Sequence, residues 1–481
     1  MNKKMVFHIL GLIILIEAIL MVLPLAVSII YQEICSVHFI IAIAVAFVFG
    51  SVLYFGIKPD KTLIFAKEGF VIVALSWIFL SAIGALPFYF SREIPSYIDA
   101  FFETVSGFTT TGASILTDVE AMSHGLLFWR SFTHWIGGMG VLVFVMALIP
   151  SMCDRSIHIM RAEVPGPIVG KLVPKIKDTA KILYLIYIAL TVLQIVLLLF
   201  GGMPLFDSIV HTFGTAGTGG FGVKADSIAS YSTYCQVVIT VFMLVFGTNF
   251  NLYYLALTKN IKTALKSSEL WCYLAIFAVS TGLISLNVFS MYGSIGETVK
   301  NSAFQVSSIM TTTGFATTDF DLWPSLSKAI LFVLMFTGAM ASSTGGGLKV
   351  SRIMILFKAI RIELKRVLHP RSVSTVKFEG KLLDNATIGG TLNYFVLFIA
   401  SYIIISLIVC INGFDLESSF SAVAACINNI GPAFSIAGPT SSYAAFSPLS
   451  KLALSLAMLL GRLELYPMLF ILIPSTWSRK K

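Results

Sequence analysis

Uncharged apolar runs of roughly 20 residues, the length that crosses a hydrocarbon core, recur along the whole chain. Ile182–Phe200, Val237–Tyr254 and Asn393–Ile411 are examples. Two such spans come first, over Phe7–Ile30 and His38–Phe55. One pattern then recurs four times: a span, an amphipathic stretch of about half that length, a Gly-rich cluster with Thr or Asn, and a second span. The half-length stretches are too short to cross, so they predict re-entrant half-helices. The expected fold is an all-α polytopic membrane protein. It has a two-helix preface over 1–57 and pore units over 58–152, 153–260, 261–378 and 379–481.

The clusters span Thr109–Ser114, Gly217–Phe221, Thr311–Ala316 and Asn428–Ala433, and their aligned glycines are Gly112, Gly219, Gly314 and Gly431. In units one, three and four a Phe precedes the glycine by 10, 10 and 11 residues. Unit two is offset, with Phe206 standing 13 residues before Gly219. Asp99 and Asp207 open their half-helices and are expected at the N-caps, where a carboxylate satisfies free N–H groups.

Composition agrees with this pattern. Of 481 residues, 57% are hydrophobic and 12% charged, with a mean hydropathy of +0.89. The first run is expected to be a retained helix rather than a cleaved signal, because no small-residue cleavage site precedes Tyr31. The net charge of +9 reflects topology rather than nucleic acid binding, because 24 of the 33 Lys and Arg residues fall in the segments assigned to one side. These segments are Lys3–Lys4, Lys58–Lys67, Arg155–Lys181, Lys259–Lys266, Lys358–Lys381 and Arg479–Lys481. Basic loops stay cytoplasmic, so both termini are expected inside. The six cysteines are scattered without a CxxC pair, which gives neither a disulfide framework nor a thiolate metal site.

Non-helical backbone at membrane depth is tolerated only where protein buries it or where it lines a wet cavity. Glycine admits the dihedrals that turn successive carbonyls toward one axis. Four such strands can replace the hydration shell of a large monovalent cation. No charged side chain lies in any of the four clusters, so no carboxylate ring of the kind that selects divalent ions is present there. A single cluster would mean only close helix packing; four at matching positions predict one cation filter.

Further motifs accompany the clusters: Phe128–Gly140 (FWRSFTHWIGGMG), Arg161–Pro167 (RAEVPGP), Gly345–Val350 (GGGLKV) and Gly461–Glu464 (GRLE). Together they make the chain resemble the Trk-type potassium uptake subunits of the Trk/Ktr/HKT superfamily over nearly its full length. The two extra N-terminal helices match the Trk branch better than the Ktr branch. The resemblance implies four units around one pseudo-fourfold pore, a homodimer with two separate pores, and a bacterial cytoplasmic (inner) membrane location. It implies potassium as the transported ion and no other cofactor. Carried over, the filter is Thr110, Thr111 and Gly112, then Gly217, Thr218 and Gly219, then Thr312, Thr313 and Gly314, then Asn429, Ile430 and Gly431. Segment four departs from the Thr-Gly pattern, with Ile430 before its glycine and Pro432 after it.

The second span of unit three does not read as one helix. Thr337–Gly347 is small and polar between apolar Ile330–Phe336 and a helical stretch from Leu348. Three successive glycines cost about 1 kcal/mol each relative to alanine in a helix, so a break lining a cavity is expected. By resemblance this is an intramembrane loop that obstructs permeation below the filter. Its members are Thr337, Gly338, Ala341, Ser342, Ser343, Thr344, Gly345, Gly346 and Gly347, with Lys349 just after it. Arg462, an intramembrane arginine, needs an interior partner. Loop carbonyls around Ala341–Gly347 suit it, because Glu464 is too near in sequence to share its helix face. For Arg130, structural and pore-facing readings both stand.

The basic stretch Lys358–Arg371 suits anionic membrane lipid. By resemblance, the cytoplasmic face docks soluble regulatory subunits that bind nucleotides. The chain's own Gly214–Gly220 (GTAGTGG) lacks the strand context of a phosphate loop. A membrane enzyme is disfavoured, since the seven histidines include no HExxH pair and the spans hold no carboxylate cluster. Between a gated channel and a proton- or sodium-coupled symporter, carbonyl filters favour the channel. Glu103 and His211 are the candidates for coupling.

Overall fold

The computed structural model describes residues 1–59, 66–140, 176–258, 261–371 and 375–477. The Arg161–Pro167 motif, the boundary at 152–153, Arg479–Lys481 and parts of the basic segments Lys58–Lys67, Arg155–Lys181 and Lys259–Lys266 lie outside the described residues.

The preface is built from α1 (Lys3–Leu20), α2 (Val22–Ile30) and α3 (Cys35–Gly56), with α1 and α2 running as one span. α1 crosses α3 at Gly11 and Gly50; a Cβ on Gly11 would stand 2.8 Å from the Gly50 carbonyl oxygen. Only small residues allow backbones that close. The far side of α3 leaves Ile40, Phe47, Val48, Val52 and Phe55 exposed, the surface a lipid-facing helix presents.

Four units follow. Unit one has α4 (Ala66–Gly84), α5 (Leu86–Phe90), half-helix α6 (Tyr97–Phe108) and α7 (His124–Gly138). Unit two has α8 (Ile176–Phe200), half-helix α9 (Leu205–Gly217), α10 (Thr233–Phe246) and α11 (Phe250–Leu257), and the short α12 (Ile261–Leu265) leads onward. Unit three has α13 (Ser268–Tyr292), half-helix α14 (Ile295–Met310), α15 (Ser325–Met335) and α16 (Val350–Leu368). The hairpin β1 (Lys377–Phe378) and β2 (Lys381–Leu382), antiparallel with Lys377 opposite Leu382, connects it to unit four. Unit four has α17 (Asn385–Val409), half-helix α18 (Leu416–Ile427), α19 (Pro448–Arg462) and α20 (Tyr466–Leu472), ending in α21 (Pro474–Trp477). The half-helices have 12, 13, 16 and 12 residues. At 1.5 Å per residue they reach roughly 18–24 Å, short of a ~30 Å hydrocarbon core.

The cap expectation for Asp99 and Asp207 is corrected. Ser96 caps α6, accepting from the Asp99 amide, and Pro204 precedes α9. Both aspartates sit inside the first turn, where they favour the helix dipole. There Asp99 accepts from Lys451 Nζ at 2.7 Å and Asp207 from the Tyr231 hydroxyl at 2.8 Å.

The second helices differ more from expectation. Val237–Tyr254 is not one span: α10 and α11 meet at 90°. Gly247 forms the corner against Tyr273 and Thr311, and the Asn249 side chain caps the new helix by accepting from the Asn251 amide. In unit three the helix stops at Met335 and resumes at Val350. In unit four α19 ends at Arg462, followed by left-handed Glu464 and Leu465. Arg462 therefore stands at the carbonyl end of a half-span, not inside a continuous one. A cation there complements the exposed carbonyls.

Candidate functional site

Each half-helix closes in the same way. Thr110, Thr218, Thr312 and Asn429 adopt φ of 54°, 57°, 59° and 56°. Their amides bond the carbonyl three residues back, at 3.0, 3.0, 3.1 and 3.2 Å. The next amides, of Thr111, Gly219, Thr313 and Ile430, reach five residues back at 2.8, 2.8, 2.8 and 2.9 Å. This is a Schellman-type ending, in which the left-handed residue turns the chain off the helix axis. Holding threonine in that conformation costs about 1–3 kcal/mol, which the surrounding packing must over-determine.

A left-handed glycine follows two residues later: Gly112, Gly220, Gly314 and Gly431, with φ of 79°, 75°, 84° and 91°. The register of segment two is thereby corrected. Its glycine equivalent to Gly112 is Gly220 rather than Gly219, and Gly217 is the last residue of α9. The offset of Phe206 disappears too, because buried Val210 stands ten residues before Gly220, as Phe102 does before Gly112.

These glycines interlock. A Cβ on Gly112 would overlap the Gly219 carbonyl oxygen, one on Gly220 that of Thr313, and one on Gly314 that of Ile430. One on Gly431 would lie 2.6 Å from the Thr111 carbonyl oxygen, which closes the ring from unit four to unit one. Behind the ring, Thr109 and Thr111 hydroxyls lie 2.8 Å apart and those of Thr311 and Thr313 2.7 Å apart. Asn429 Nδ2 donates to Thr111 Oγ1 at 2.9 Å and to the Met458 carbonyl at 3.0 Å. The four half-helices end at this ring, so their carbonyl ends lend it negative potential.

All four left-handed glycines line a cavity of about 290 Å³ on one side of the ring. Arg130 lines it as well and is anchored on the protein side. Its Nε donates to Glu103 at 2.6 Å and its Nη1 to the Gly222 carbonyl at 3.1 Å. Glu103 also accepts from Ser114 Oγ and the Ile115 amide, each at 2.9 Å. His211 Nδ1 lies 2.8 Å from the Asp207 carbonyl.

On the opposite side, residues 336–349 pass directly against the ring. The Gly346 amide donates to Thr312 Oγ1 at 2.7 Å, and a Cβ on Gly345 would stand 3.0 Å from the Thr311 carbonyl oxygen. Gly347 lies against Asn428. The loop is pinned at several points. Gly338 N bonds the Leu348 carbonyl at 2.6 Å, Ala341 N bonds Glu269 at 2.8 Å, and the Ser342 carbonyl accepts from Phe250 N at 3.1 Å. Thr337 Oγ1 returns to Leu334, Ser343 Oγ to Met340, and Thr344 Oγ1 to Phe246. Lys349 Nζ donates to the Gly345 and Gly346 carbonyls. Arg462 donates to Thr344 O at 2.7 Å, Gly137 O at 2.5 Å and Gly138 O at 2.7 Å. Loop and arginine thus meet as expected, and the arginine also ties the loop to the end of α7.

Comparison with known proteins decides the kinship. A sequence profile of the TrkH family, described as a cation transport protein, matches residues 35–480. The chain belongs to the TrkH family. It is 35% identical to the Trk system potassium uptake protein TrkH of Salmonella typhimurium, over 99% of this chain and 100% of that protein. It is 33% identical to the Trk system potassium uptake protein TrkG of Escherichia coli K12, over 99% of both. The crystal structure of the potassium transporter TrkH from Vibrio parahaemolyticus superposes with a TM-score of 0.89 at 32% identity, over 99% of this chain and 100% of that one.

Three residues that hold these TrkH-family segments together carry no signal that sequence reading picked up. Gly220 is one. The others are Arg352 and Glu464, which form a two-pronged ion pair between α16 and the turn after α19, with Nη1 to Oε1 at 2.9 Å. Arg352 also lies 3.9 Å from the Tyr394 ring centroid. Glu464 was set aside as a partner for Arg462, and its actual partner is 112 residues away. Removing one member of a buried pair strands a charge, at a cost of about 3 kcal/mol. Glu464→Gln is therefore expected to lower the thermal unfolding midpoint in detergent clearly. Combining Arg352→Met with Glu464→Leu should recover most of that loss, since a matched apolar pair leaves no stranded charge.

Proposed function

We propose that this chain is a potassium uptake protein of the cytoplasmic membrane, passing the ion through the four-segment carbonyl ring under control of the loop beneath it. The observation that carries the reading is the closure of the ring, in which four left-handed glycines each pack on the next segment's backbone. Uncharged carbonyls suit a large monovalent cation, and the half-helix ends add potential at the same place. Below the ring, Lys349 and Arg462 donate to the loop's carbonyls, and the permanent charge of Arg462 opposes any ion leaving the filter. The resting loop is on this reading the closed gate.

Uptake is driven largely by membrane potential, which supplies about 2.3 kcal/mol per unit charge at 100 mV. Coupling to protons or sodium is the alternative. It is weakened by Glu103 having three partners and by His211 bonding its own helix backbone. Both termini are cytoplasmic, the chain is a homodimer with one pore per protomer, and cytosolic nucleotide-binding subunits act on the gate. The basic end of α16 offers them, or anionic lipid, a contact.

The test is flux through purified protein in proteoliposomes, with reversal potentials recorded across an imposed pH gradient. Potassium and rubidium are expected to pass and sodium to lag, with reversal insensitive to pH. Absence of cation flux in every condition, open-gate variants included, would refute a filter. A reversal potential that tracks pH would replace uncoupled flow with symport.

A further inference from the structure

The four filter segments are backed differently. In segments one and three the residue after the left-handed one is a threonine, Thr111 or Thr313, whose hydroxyl pairs with the threonine two residues before it. Segment four has fully buried Ile430 there. Segment two has Gly219, with no side chain at all. The space behind it is taken by His134 of α7, from the neighbouring unit. A Cβ on Gly219 would overlap the Nδ1, Cε1 and Cγ atoms of that imidazole, and one on Gly217 would overlap the His134 carbonyl oxygen.

The imidazole is held as well as buried. It stacks on Phe221, just beyond segment two, at a centroid separation of 4.1 Å and an interplanar angle of 20°. Arg130, one helical turn earlier on α7, lies 3.4 Å from the centroid of the same ring. Two planar groups that close cannot share one face, so Phe221 is inserted between them. α7 thereby grips the outer end of segment two and presses the imidazole against its middle.

We infer that His134 is a positioning, specificity-determining residue of the filter, its ring replacing from an adjacent unit the side chain that segment two lacks. The inference rests on the filter reading above. Segment two carries glycine at 217, 219 and 220, which leaves it the most conformational freedom of the four. A carbonyl filter discriminates only while its oxygens keep their spacing or field. The ring behind Gly219 restrains the backbone where the other segments restrain their own.

The experiment compares potassium and sodium permeability, from reversal potentials in proteoliposomes, for His134→Ala, Gly219→Thr and the double variant. His134→Ala opens space behind Gly219, and its potassium-to-sodium ratio is expected to fall roughly tenfold or more. Gly219→Thr alone drives its side chain into the imidazole and is expected to lose flux. The double variant exchanges ring for threonine and is expected to recover about half the wild-type ratio or better, a coupling that independent sites do not show. A wild-type ratio in His134→Ala would overturn the inference, as would a double variant no better than the poorer single. Where a single variant fails to elute as folded protein, the double variant decides: folded and selective supports the exchange, misfolded or unselective overturns it. Gly314→Ser in the same assay separates the two readings. An unchanged ratio there sinks the filter itself, whereas a changed ratio beside an unaffected His134→Ala sinks only this inference.

Discussion

Gly314→Ser is expected to collapse discrimination between potassium and sodium, lowering the permeability ratio at least about tenfold and toward unity. Two effects combine. The backbone at this position has φ +84°, which costs a side-chain-bearing residue about 1–3 kcal/mol. The added Cβ would also overlap the Ile430 carbonyl oxygen and stand 2.9 Å from Pro432 Cδ, so segment four must retreat. Those are backbone and ring atoms with no rotamer to give way. Because the ring is interlocked, displacement of Ile430 and Pro432 reaches Gly431 and then segment one. Gly222→Ser is the matched control. Gly222 lines the same cavity, but a Cβ there would lie 3.6 Å from its nearest neighbour, and permeability should stay at the wild-type ratio. If Gly314→Ser kept its selectivity, the carbonyl ring would not be the discriminating element.

Shortening the intramembrane loop by deleting Met340–Ser343 is expected to raise potassium flux in the absence of any partner protein. The deletion removes the Met340 amide bond to Gly247, the Ala341 amide bond to Glu269 and the Ser342 carbonyl bond to Phe250. It thus removes the loop's bond to α13 and two of its bonds to unit two, leaving only the Thr344 contacts with Phe246 there. Arg462→Ala should act in the same direction by a different route. A hydrogen bond to a charged group contributes about 1.5–3 kcal/mol, and loss of the Thr344 contact alone shifts a closed–open balance roughly tenfold or more. Arg462→Lys keeps the charge but loses the fork that spans Thr344, Gly137 and Gly138, so an intermediate flux is expected. A folded deletion variant passing no more potassium than wild type would remove the loop from the gating role.

The membrane-spanning character, the four-unit order and the half-helices were legible because hydropathy and length are local properties of the chain. The errors came where a residue's conformation is set by something distant. In Gly217-Thr-Gly-Gly220 three glycines could each take the left-handed position that Gly220 holds, and the two that do not are packed on His134, more than 80 residues earlier. The Arg352–Glu464 pair joins α16 to the turn after α19, and no spacing rule links those two positions. Two other misses had local signals. Ser96 with an acidic residue three positions on is a capping pattern that outranks Asp99 itself. Gly247 followed by the capping Asn249 marks a helix end and a new start inside an apolar run that hydropathy alone reads as continuous.

The way the ring closes has a consequence for how the protein is made. Gly431 contacts Thr111 and Gly112, so the first ring segment leaving the ribosome waits for the last before the ring can close. Chains fold broadly in the order of their synthesis, and three segments alone leave the ring open on one side. A nascent or truncated chain lacking unit four therefore has no closed ring, and on the proposed reading it gains selective transport only once nearly the whole protein has been inserted.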